Sequence, residues 1–417
     1  LGYSLTINTY GDIENNGTWS PNRTNFKSTG VQVLKQSDNK FFNGVFVNYE
    51  ALGSIQLNSD IAFQSCEWDI NQSTLLTNGF DLYATDCYVY DGNIQANDSL
   101  FFKNTTIEDL VFSGNYKLTG KTHAKYGVVF NGVATIMDTL QNLYAWNPNI
   151  TVNGTVVNKG AIVKNPSGYS LTIDVFGDVD NRGIWSPTRT NFLREGEQKI
   201  QQADNTFFTG YIVNLSEKNT LELGSNIVFK SENWDLDKAT IQTNGYNLTV
   251  IDASLYDGKI FSNDNLNFQN TIIENLSLNG SYTVKGKVNV MYGIELNGTV
   301  TIEDTLQNRY AWNPNIVVLG KIINNGYIIS NPGGYSLTVD VYGDVENNKV
   351  WAPMRTNFNK VGIQEIKQAE NVFFTGRFVN ADSLNQLKLA SKIVFKQNEW
   401  DLNQATISTN GFNFKID

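Results

Sequence analysis

Residue types that carry much of enzyme chemistry are scarce in this chain. Its 417 residues include one histidine and two cysteines. A tetrahedral zinc site needs several cysteine or histidine ligands, and a nucleophilic triad needs a histidine beside its serine or cysteine. The histidine, His123, lies in the polar stretch KTHAKYG and aligns with Asn289 in the repeat described below, so we predict a surface residue. The composition argues against most zinc sites and against serine or cysteine hydrolases.

Charge and long apolar runs are also scarce. Only 17% of the residues are charged, the formal net charge is −10, and no basic patch occurs. Nucleic acid and anionic lipid are therefore poor candidate partners, and no apolar run approaches the ~20 residues that a membrane-spanning helix needs. Helix-favouring residues are few, whereas threonine, valine, isoleucine, tyrosine and phenylalanine are abundant. This composition favours an all-β fold.

What the chain does contain is a long repeat. Residues 2–167 and 168–333 agree at about half of their positions without an insertion, and residues 334–417 form a partial third copy. All eight tryptophans and all seven prolines fall in register at the 166-residue spacing. Loops usually absorb insertions at little cost, so the fixed length suggests that every residue has a geometric place. We predict one continuous rod without linkers, and we expect both ends of the sequence to belong to a longer protein.

A shorter period of about 21 residues runs inside each repeat. Each period holds two or three short stretches of alternating apolar and polar residues, separated by Asn-Gly, Asp-Gly or Asn-Asn pairs. Alternation with period two places one face of a strand inward, and these turn residues tolerate positive φ. The short strands, the period and the missing linkers favour an all-β parallel β-helix, with about 21 residues per coil and about eight coils per repeat. A string of β-sandwiches with Asn-Gly hairpins is the alternative.

The stretches GDIENNGTWSP, VNGTVVNKGAIVKN and INNGYIISNPGGYSLTV resemble the coils of large secreted bacterial repeat proteins. Those proteins, the filamentous-haemagglutinin-type adhesins among them, are right-handed parallel β-helices. The resemblance covers the whole chain and rests on composition and cadence. It implies an extracellular or cell-surface fibre, and it transfers no catalytic residues. The chain differs from the calcium-binding repeat family because it lacks G-G-x-G-x-D nonapeptides.

One phrase recurs in all three copies, as GTWSPNRTNF, GIWSPTRTNF and KVWAPMRTNF. An aromatic face beside a planar guanidinium is a common way to hold a sugar ring or another protein, whereas a tryptophan folded onto its own loop is the alternative. With eight coils per repeat the three loops would lie in a line on one face. We predict lateral association through these loops, with surface polysaccharide as the alternative partner. The candidate binding residues are Trp19, Pro21, Arg23, Trp185, Pro187, Arg189, Trp351, Pro353 and Arg355.

Two further tryptophan positions recur. Trp146 and Trp312 lie in a second Trp-x-Pro loop of each full repeat. Trp68, Trp234 and Trp400 lie in the phrase Glu/Asn-Trp-Asp, for which we predict a coil corner with a buried indole.

Pairs of carboxylates recur two residues apart. Residues i and i+2 of a strand share a face, so each pair is a candidate for hydrolase or lyase chemistry, or more weakly for a Ca²⁺ site. A catalytic groove needs one special arrangement, whereas these pairs are repeated and followed by asparagine, so we favour a solvated turn. The weak calcium candidates are Asp12, Glu14, Asp178, Asp180, Asp344 and Glu346.

Cys66 and Cys87 are separated by 21 residues, about one coil. Stacked coils would bring their Cα atoms within the range that a disulfide accepts. Both cysteines are absent together from the next repeat, where Glu232 and Ala253 stand. We therefore predict a Cys66–Cys87 disulfide and an oxidising, extracellular location.

These observations predict a structural role, as an extracellular fibre or adhesin stalk made of tandem β-solenoid repeats that associates with itself. We expect no enzyme activity and no cofactor. The alternative is a carbohydrate-binding or polysaccharide-cleaving β-helix protein, which a one-off cluster of carboxylates and basic residues would favour.

Overall fold

A computed structural model describes residues 4–49, 53–142, 149–167, 170–230, 232–308, 315–331, 333, 336–396 and 399–417. The regular elements in these ranges are β-strands, and the fold is a parallel β-solenoid with about 21 residues per turn. The predicted fold is confirmed, and the alternative of antiparallel sandwiches is wrong. Within the same ranges no helix is long and apolar enough to cross a membrane.

The strands in the first part of the chain are β1 (Thr6–Thr9), β2 (Ile13–Asn15), β3 (Arg23–Phe26), β4 (Val31–Gln36), β5 (Phe42–Asn48), β6 (Ser54–Leu57), β7 (Ile61–Asp69), β8 (Thr74–Leu76), β9 (Leu82–Thr85), β10 (Tyr88–Gln95), β11 (Ser99–Lys103), β12 (Thr105–Ser113), β13 (Asn115–Thr119), β14 (Thr122–Ala124), β15 (Val128–Phe130), β16 (Val133–Ile136), β17 (Thr139–Asn142), β18 (Asn149–Val152), β19 (Thr155–Asn158), β20 (Ala161–Val163), β21 (Thr172–Val175), β22 (Val179–Asn181), β23 (Ile184–Ser186), β24 (Arg189–Phe192), β25 (Gly196–Gln202), β26 (Phe207–Phe208) and β27 (Tyr211–Asn214).

The remaining strands are β28 (Asn219–Leu223), β29 (Ile227–Lys230), β30 (Asn233–Asp235), β31 (Thr240–Gln242), β32 (Leu248–Ile251), β33 (Ser254–Ser262), β34 (Asn265–Gln269), β35 (Thr271–Lys285), β36 (Val288–Val290), β37 (Ile294–Leu296), β38 (Thr299–Ile302), β39 (Thr305–Asn308), β40 (Asn315–Val318), β41 (Lys321–Asn324), β42 (Tyr327–Ile329), β43 (Thr338–Val341), β44 (Val345–Asn347), β45 (Val350–Ala352), β46 (Arg355–Phe358), β47 (Gly362–Gln368), β48 (Phe373–Thr375), β49 (Arg377–Asn380), β50 (Asn385–Leu389), β51 (Ile393–Lys396), β52 (Trp400–Asp401), β53 (Thr406–Ser408) and β54 (Phe414–Ile416).

The chain divides into two compact units, which are described separately. Unit 1 comprises residues 1–194 and 198–211, and unit 2 comprises residues 195–197 and 212–417. These boundaries do not coincide with the boundaries of the sequence repeat.

In unit 1 each coil contributes to three parallel ladders, which we name faces A, B and C. Face A begins with β1, β3 and β5, and face B begins with β2, β4 and β6. Face C begins with Trp19, which pairs with Phe42 and through it with β7. Residues opposite each other on successive coils are separated by between 17 positions (Thr6 and Arg23) and 23 positions (Val163 and Ser186).

The interior is filled by apolar side chains that stack from coil to coil, as the alternation in the sequence predicts. In unit 1, Trp185 lies opposite Ile162 on one coil and Phe208 on the next, with the two aromatic ring centroids 5.6 Å apart. All three side chains are 1% exposed. Burial of this kind contributes ~25 cal/mol per Å² of apolar surface and recurs on every coil, so these stacks are the main source of stability.

Buried asparagines close the corners between faces. In unit 1, Asn158 donates hydrogen bonds from Nδ2 to Oδ1 of Asn181 at 2.9 Å and to the carbonyl oxygen of Ile184 at 2.8 Å. In unit 2, Asn324 makes the same bond to Asn347 at 2.8 Å. These side chains satisfy backbone groups that the strand ends leave unpaired, which is one reason for the high asparagine content.

The repeat and the coil have different lengths, so equivalent residues move from one face to the next. On face A, eight successive pairing steps lead from Thr6 to Val163, 157 residues further on. The 166-residue repeat is nine residues longer, which is the distance to the next face. Thr172, the counterpart of Thr6, accordingly pairs with Asn149 on face B. One repeat therefore occupies eight coils and one additional face.

Unit 2 shows the same displacement independently. The ladder that contains Trp234 continues to Trp351. Trp400, the counterpart of Trp234 in the next repeat, instead pairs with Phe378 in a different ladder. The displacement is thus a property of the repeat.

Candidate functional site

The tryptophan of the recurring phrase is an internal residue. In β23 the indole of Trp185 is 1% exposed, and its Nε1 atom donates a hydrogen bond to Oγ1 of Thr190 at 3.0 Å. Trp351 is fully buried and Trp19 is half-buried, and both make the same bond, at 3.0 Å, to the threonine five residues later. The indoles of Trp185 and Trp351 therefore present no face to a ligand.

The arginine of the phrase is half-buried, and side chains of its own coil and of the next coil contact its guanidinium. Nε of Arg189 donates to Oδ1 of Asn191 at 2.6 Å, and the guanidinium carbon lies 5.1 Å from the ring centroid of Tyr211. Nδ2 of Asn191 in turn donates to Oδ1 of Asp174 on the preceding coil at 2.6 Å. The other two copies repeat the Arg–Asn bond, between Arg23 and Asn25 at 2.8 Å and between Arg355 and Asn357 at 2.6 Å.

The proline of the phrase is buried beneath a glycine of the next coil. A Cβ atom at Gly210 would lie 2.2 Å from the carbonyl oxygen of Pro187, and Gly210 has a φ of 94°. Only glycine accepts both the approach and this φ. The same arrangement joins Pro21 to Gly44 and Pro353 to Gly376.

Contacts between coils thus explain why the tryptophan, proline, arginine and asparagine recur. This geometry supports the alternative interpretation, a tryptophan folded onto its own loop. The prediction that an aromatic face is offered beside the guanidinium is wrong for Trp185 and Trp351.

Trp19 and Trp185 lie on different faces of unit 1. Trp19 belongs to face C, where it pairs with Phe42, whereas Trp185 belongs to face A, where it pairs with Ile162. The prediction that these loops lie in a line on one face is wrong because the repeat is longer than eight coils.

Two tryptophans of the Glu/Asn-Trp-Asp phrase are also internal. Trp68 lies within β7 and Trp234 within β30, not at coil corners as predicted, and both indoles are buried. Trp146 and Trp312, with their Trp-x-Pro loops, lie outside the described residues.

The first carboxylate of each acidic pair caps the next coil. Oδ1 of Asp12 accepts the backbone N–H of Val33 at 2.8 Å, and Asp178 and Asp344 accept the backbone N–H 21 residues later at 3.0 Å. The second carboxylate forms ion pairs: Glu14 with Lys35 at 3.2 Å, Asp180 with Arg182 at 2.7 Å, and Glu346 with Lys367 and Lys321 at 3.0 and 3.1 Å.

Five of these carboxylates bind a backbone N–H or a lysine of a neighbouring coil, whereas Asp180 pairs with Arg182 on its own coil. Asp180 is only 7% exposed, which contradicts a solvated turn at that position. In the part of the chain that the structure describes, no group of three or more histidine, cysteine, aspartate or glutamate residues is placed to hold a metal ion. The weak calcium candidates therefore serve as structural contacts, and all of them except Asp180 link successive coils.

Cys66 and Cys87 lie on successive coils and are joined by a disulfide, with their Cα atoms 4.5 Å apart. Each is followed by an outward-facing residue, Glu67 and Tyr88, which are directly opposite in the ladder of face A. Glu67 accepts a hydrogen bond from the hydroxyl of Tyr90 at 3.0 Å. Burial and this hydrogen bond raise the pKa of Tyr90 to about 12.

Beside the disulfide lies an ion-pair cluster that was not found from the sequence. Nζ of Lys125 lies 2.6 Å from Oε2 of Glu108 and 3.1 Å from the hydroxyl of Tyr88, which also donates to Glu108. In the next repeat Ser254 and Met291 replace Tyr88 and Lys125. About half of all positions differ between the repeats, so this departure alone does not mark a site. The charges in the cluster are paired with each other, which suits a link between three coils.

His123 is buried, so the prediction of a surface histidine is wrong. It is 4% exposed, with Nε2 3.2 Å from Oδ1 of Asn104 and Nδ1 3.2 Å from Nε2 of Gln141. Burial, with a smaller effect from Lys121, lowers its pKa below the usual 6.5. Asn104 and Gln141 belong to neighbouring coils, so the ring forms part of a polar ladder along the outside of the sheet.

A groove of about 880 Å³ lies at a corner of unit 2. Three lysines and several carboxylates line it, and the lysines are Lys218, Lys238 and Lys259. The aligned residues of the first repeat are Leu52, Gln72 and Asn93. The volume falls within the range of small-molecule sites, but the lining is charged where such sites are mostly apolar.

No protein-family model, curated protein or solved structure matches this chain.

Proposed function

We propose that this chain is a structural segment of an extracellular fibre or adhesin stalk. The observation that carries the proposal is the continuous parallel pairing of every coil in unit 1 with the next coil on three faces. Such pairing extends a surface without needing a large globular core, and buried stacks and asparagine ladders hold each coil in register. The recurring motifs serve this same packing.

The disulfide supports an extracellular location. Disulfides persist in oxidising compartments and are rare where thiols are kept reduced. Cys66 and Cys87 also link two coils covalently, which suits a segment that carries mechanical load.

The proposal can be tested by pulling the chain from its two ends in a force spectrometer. We expect the chain to resist the applied force and to unfold in steps of about one coil. Each step should lengthen the chain by close to 70 Å, because ~21 residues extend by 3.3–3.6 Å each. With reductant present, the released length should grow by about one further coil, because the Cys66–Cys87 loop then extends. Extension without measurable resistance would contradict a load-bearing role.

We also propose that the chain is not an enzyme, because its recurring carboxylates are engaged in hydrogen bonds and ion pairs that serve the packing of the coils. The test is release of reducing ends from a panel of acidic polysaccharides, with Asp178→Ala as the control variant. Activity that disappears in this folded variant would contradict the proposal.

The second candidate function is carbohydrate binding in the groove of unit 2. The observation that favours it is the groove itself, about 880 Å³ in volume and lined by three lysines and several carboxylates that could bind hydroxyl groups. Lys238→Gln and Lys259→Asn install the first repeat's residues and make suitable variants. Glycan-array binding that the parent shows and both variants lose would favour this function. If the parent does not bind, or if both variants bind as well as the parent, the groove is not a carbohydrate site.

A further inference from the structure

Four polar side chains form a ladder across successive coils of unit 1. Nδ2 of Asn104 donates to Oδ1 of Asp86 at 2.8 Å, and Oδ1 of Asn104 faces Nε2 of His123 at 3.2 Å. Nδ1 of His123 faces Nε2 of Gln141 at 3.2 Å. The ladder thus runs Asp86, Asn104, His123, Gln141, one member from each successive coil.

These partners select one protonation state of the ring. Since Asn104 presents an oxygen and Gln141 presents an N–H donor, the arrangement suits a neutral imidazole with its proton on Nε2. A second proton on Nδ1 would point at the amide nitrogen of Gln141. Rotation of that amide would restore a hydrogen bond but would leave the positive charge buried.

The second repeat has the same residue types at these positions, except that an asparagine stands in place of the ring. Nδ2 of Asn270 donates to Oδ1 of Asp252 at 2.9 Å, and Nε2 of Gln307 donates to Oδ1 of Asn289 at 3.0 Å. Asn289 occupies the position of His123. The chain therefore carries its own control, in which the amide of Asn289 stands where the first repeat has the imidazole of His123.

The charged groups around His123 do not compensate a protonated ring. Lys121 lies close enough to oppose a positive charge there. Lys125, two positions further along the chain, is paired with Glu108 at 2.6 Å. Asp86 is separated from the ring by Asn104, whose amide it binds.

We propose that His123 makes the coils of residues 105–142 an acid-sensitive segment of the solenoid, which opens locally when the ring gains a proton. The sign follows from the neutral ladder. A histidine that binds its proton less readily in the folded state contributes stability at high pH, and this contribution is lost as the pH falls through about 6.5, the usual value for an exposed ring. The second repeat, with Asn289, stays closed over the same range.

The test is hydrogen exchange of the full chain at pH 7 and pH 5, measured by mass spectrometry. Exchange of residues 105–142 is divided by exchange of the aligned residues 271–308 at the same pH, which cancels the intrinsic effect of pH on exchange. We expect the ratio to rise several-fold at pH 5 in the parent and to stay constant in His123→Asn. Asn289→His should make residues 271–308 acid-sensitive.

A constant ratio in the parent, or a rise that persists in His123→Asn, overturns the proposal. Circular dichroism shows whether each variant folds. If His123→Asn does not fold, Asn289→His provides an independent test. Because the chain has a single histidine, its ring proton can also be followed directly by NMR. A titration midpoint at or above 6.5 in the folded chain would likewise overturn the proposal.

Discussion

The indole Nε1 of Trp234 donates a hydrogen bond to Oδ1 of Asn214, which lies 20 residues earlier on the preceding coil, at a distance of 3.0 Å. Both side chains are fully buried, and Nδ2 of Asn214 donates to Asn219 at 2.7 Å. The corresponding bonds of Trp68 to Asn48 and of Trp400 to Asn380 are 3.1 and 2.8 Å long. This tryptophan is therefore both a core residue and a donor that fixes the register of two coils.

Trp234→Phe should destabilise unit 2, because it leaves the buried Oδ1 of Asn214 without its donor and removes part of a packed ring. An unsatisfied buried acceptor costs about 1–3 kcal/mol, and the lost volume adds to this. Denaturant titration of the parent and the variant measures the change. Tyr246→Phe is the control, since Tyr246 is 39% exposed. Equal loss of stability in both variants would contradict the role assigned to the hydrogen bond.

Two glycines of unit 2 separate backbone strain from steric contact. Gly376 and Gly362 both have positive φ, 111° and 89°, but a Cβ at Gly376 would lie 2.1 Å from the oxygen of Pro353, whereas Gly362 has nothing within 4 Å. Gly362→Ala should cost about 1–2 kcal/mol from the left-handed conformation alone. Gly376→Ala should cost a further ~1–3 kcal/mol from overpacking. Similar unfolding midpoints for the two variants would argue against the close approach of successive loops.

The disulfide can be removed without changing the rest of the coil. Cys66→Ala with Cys87→Ala should lower the free energy of unfolding of unit 1 by about 3 kcal/mol, the value expected for a closed loop of this length. Thiol titration of unfolded parent protein should find no free thiol before reduction and two afterwards. Two free thiols before reduction would show that Cys66 and Cys87 are not joined by a disulfide.

Glu346 should make the free energy of unfolding of unit 2 decrease as the pH falls, because its pKa is lowered in the folded state. Its hydrogen bond to Lys367, with further contributions from Lys321 and Asn348, lowers its pKa below the usual 4.5 although burial opposes this. A carboxylate with a lowered folded pKa stabilises the fold above about pH 4.5, and the contribution disappears as the pH falls through the folded pKa.

Glu346→Gln should therefore destabilise unit 2 at pH 7 by less than about 1 kcal/mol, since both lysines are substantially exposed and screened by solvent. The difference between parent and variant should shrink as the pH falls below 4.5 and disappear once the carboxylate is protonated in the folded state. Lys349→Gln is a suitable control, because it removes a nearby lysine whose Nζ lies 4.6 Å from the ring centroid of Tyr327. A difference that persists at low pH would show that the Glu346 variant acts through packing.

The sequence predicted the fold because its two signals, alternation with period two and turn residues between the short strands, are local. It also predicted which cysteines could meet, since Cys66 and Cys87 are one coil apart. It did not predict the faces of the three recurring loops. Coils differ in length along the chain, and an average period cannot distinguish eight coils from eight coils and one face.

The burial of single side chains was harder to predict. In Ile184-Trp185-Ser186 the alternation alone leaves open which residues face inward, and only the position of Trp185 opposite Ile162 decides it. His123 follows the outward register of its strand and is nevertheless covered by its neighbours. The burial of this ring depends on side chains of the preceding and following coils, and a local sequence pattern does not indicate it.

The additional face in each repeat has a consequence for how a tandem gene of this kind can change length. Recombination that gains or loses one whole repeat keeps the backbone ladders in register, because equivalent residues are always 166 positions apart. It nevertheless changes the face on which a given position of the repeat lies, as Trp19 and Trp185 show in unit 1. A residue exposed at one place in the repeat is thus presented on a different face by each added copy, and it returns to its first face after three copies.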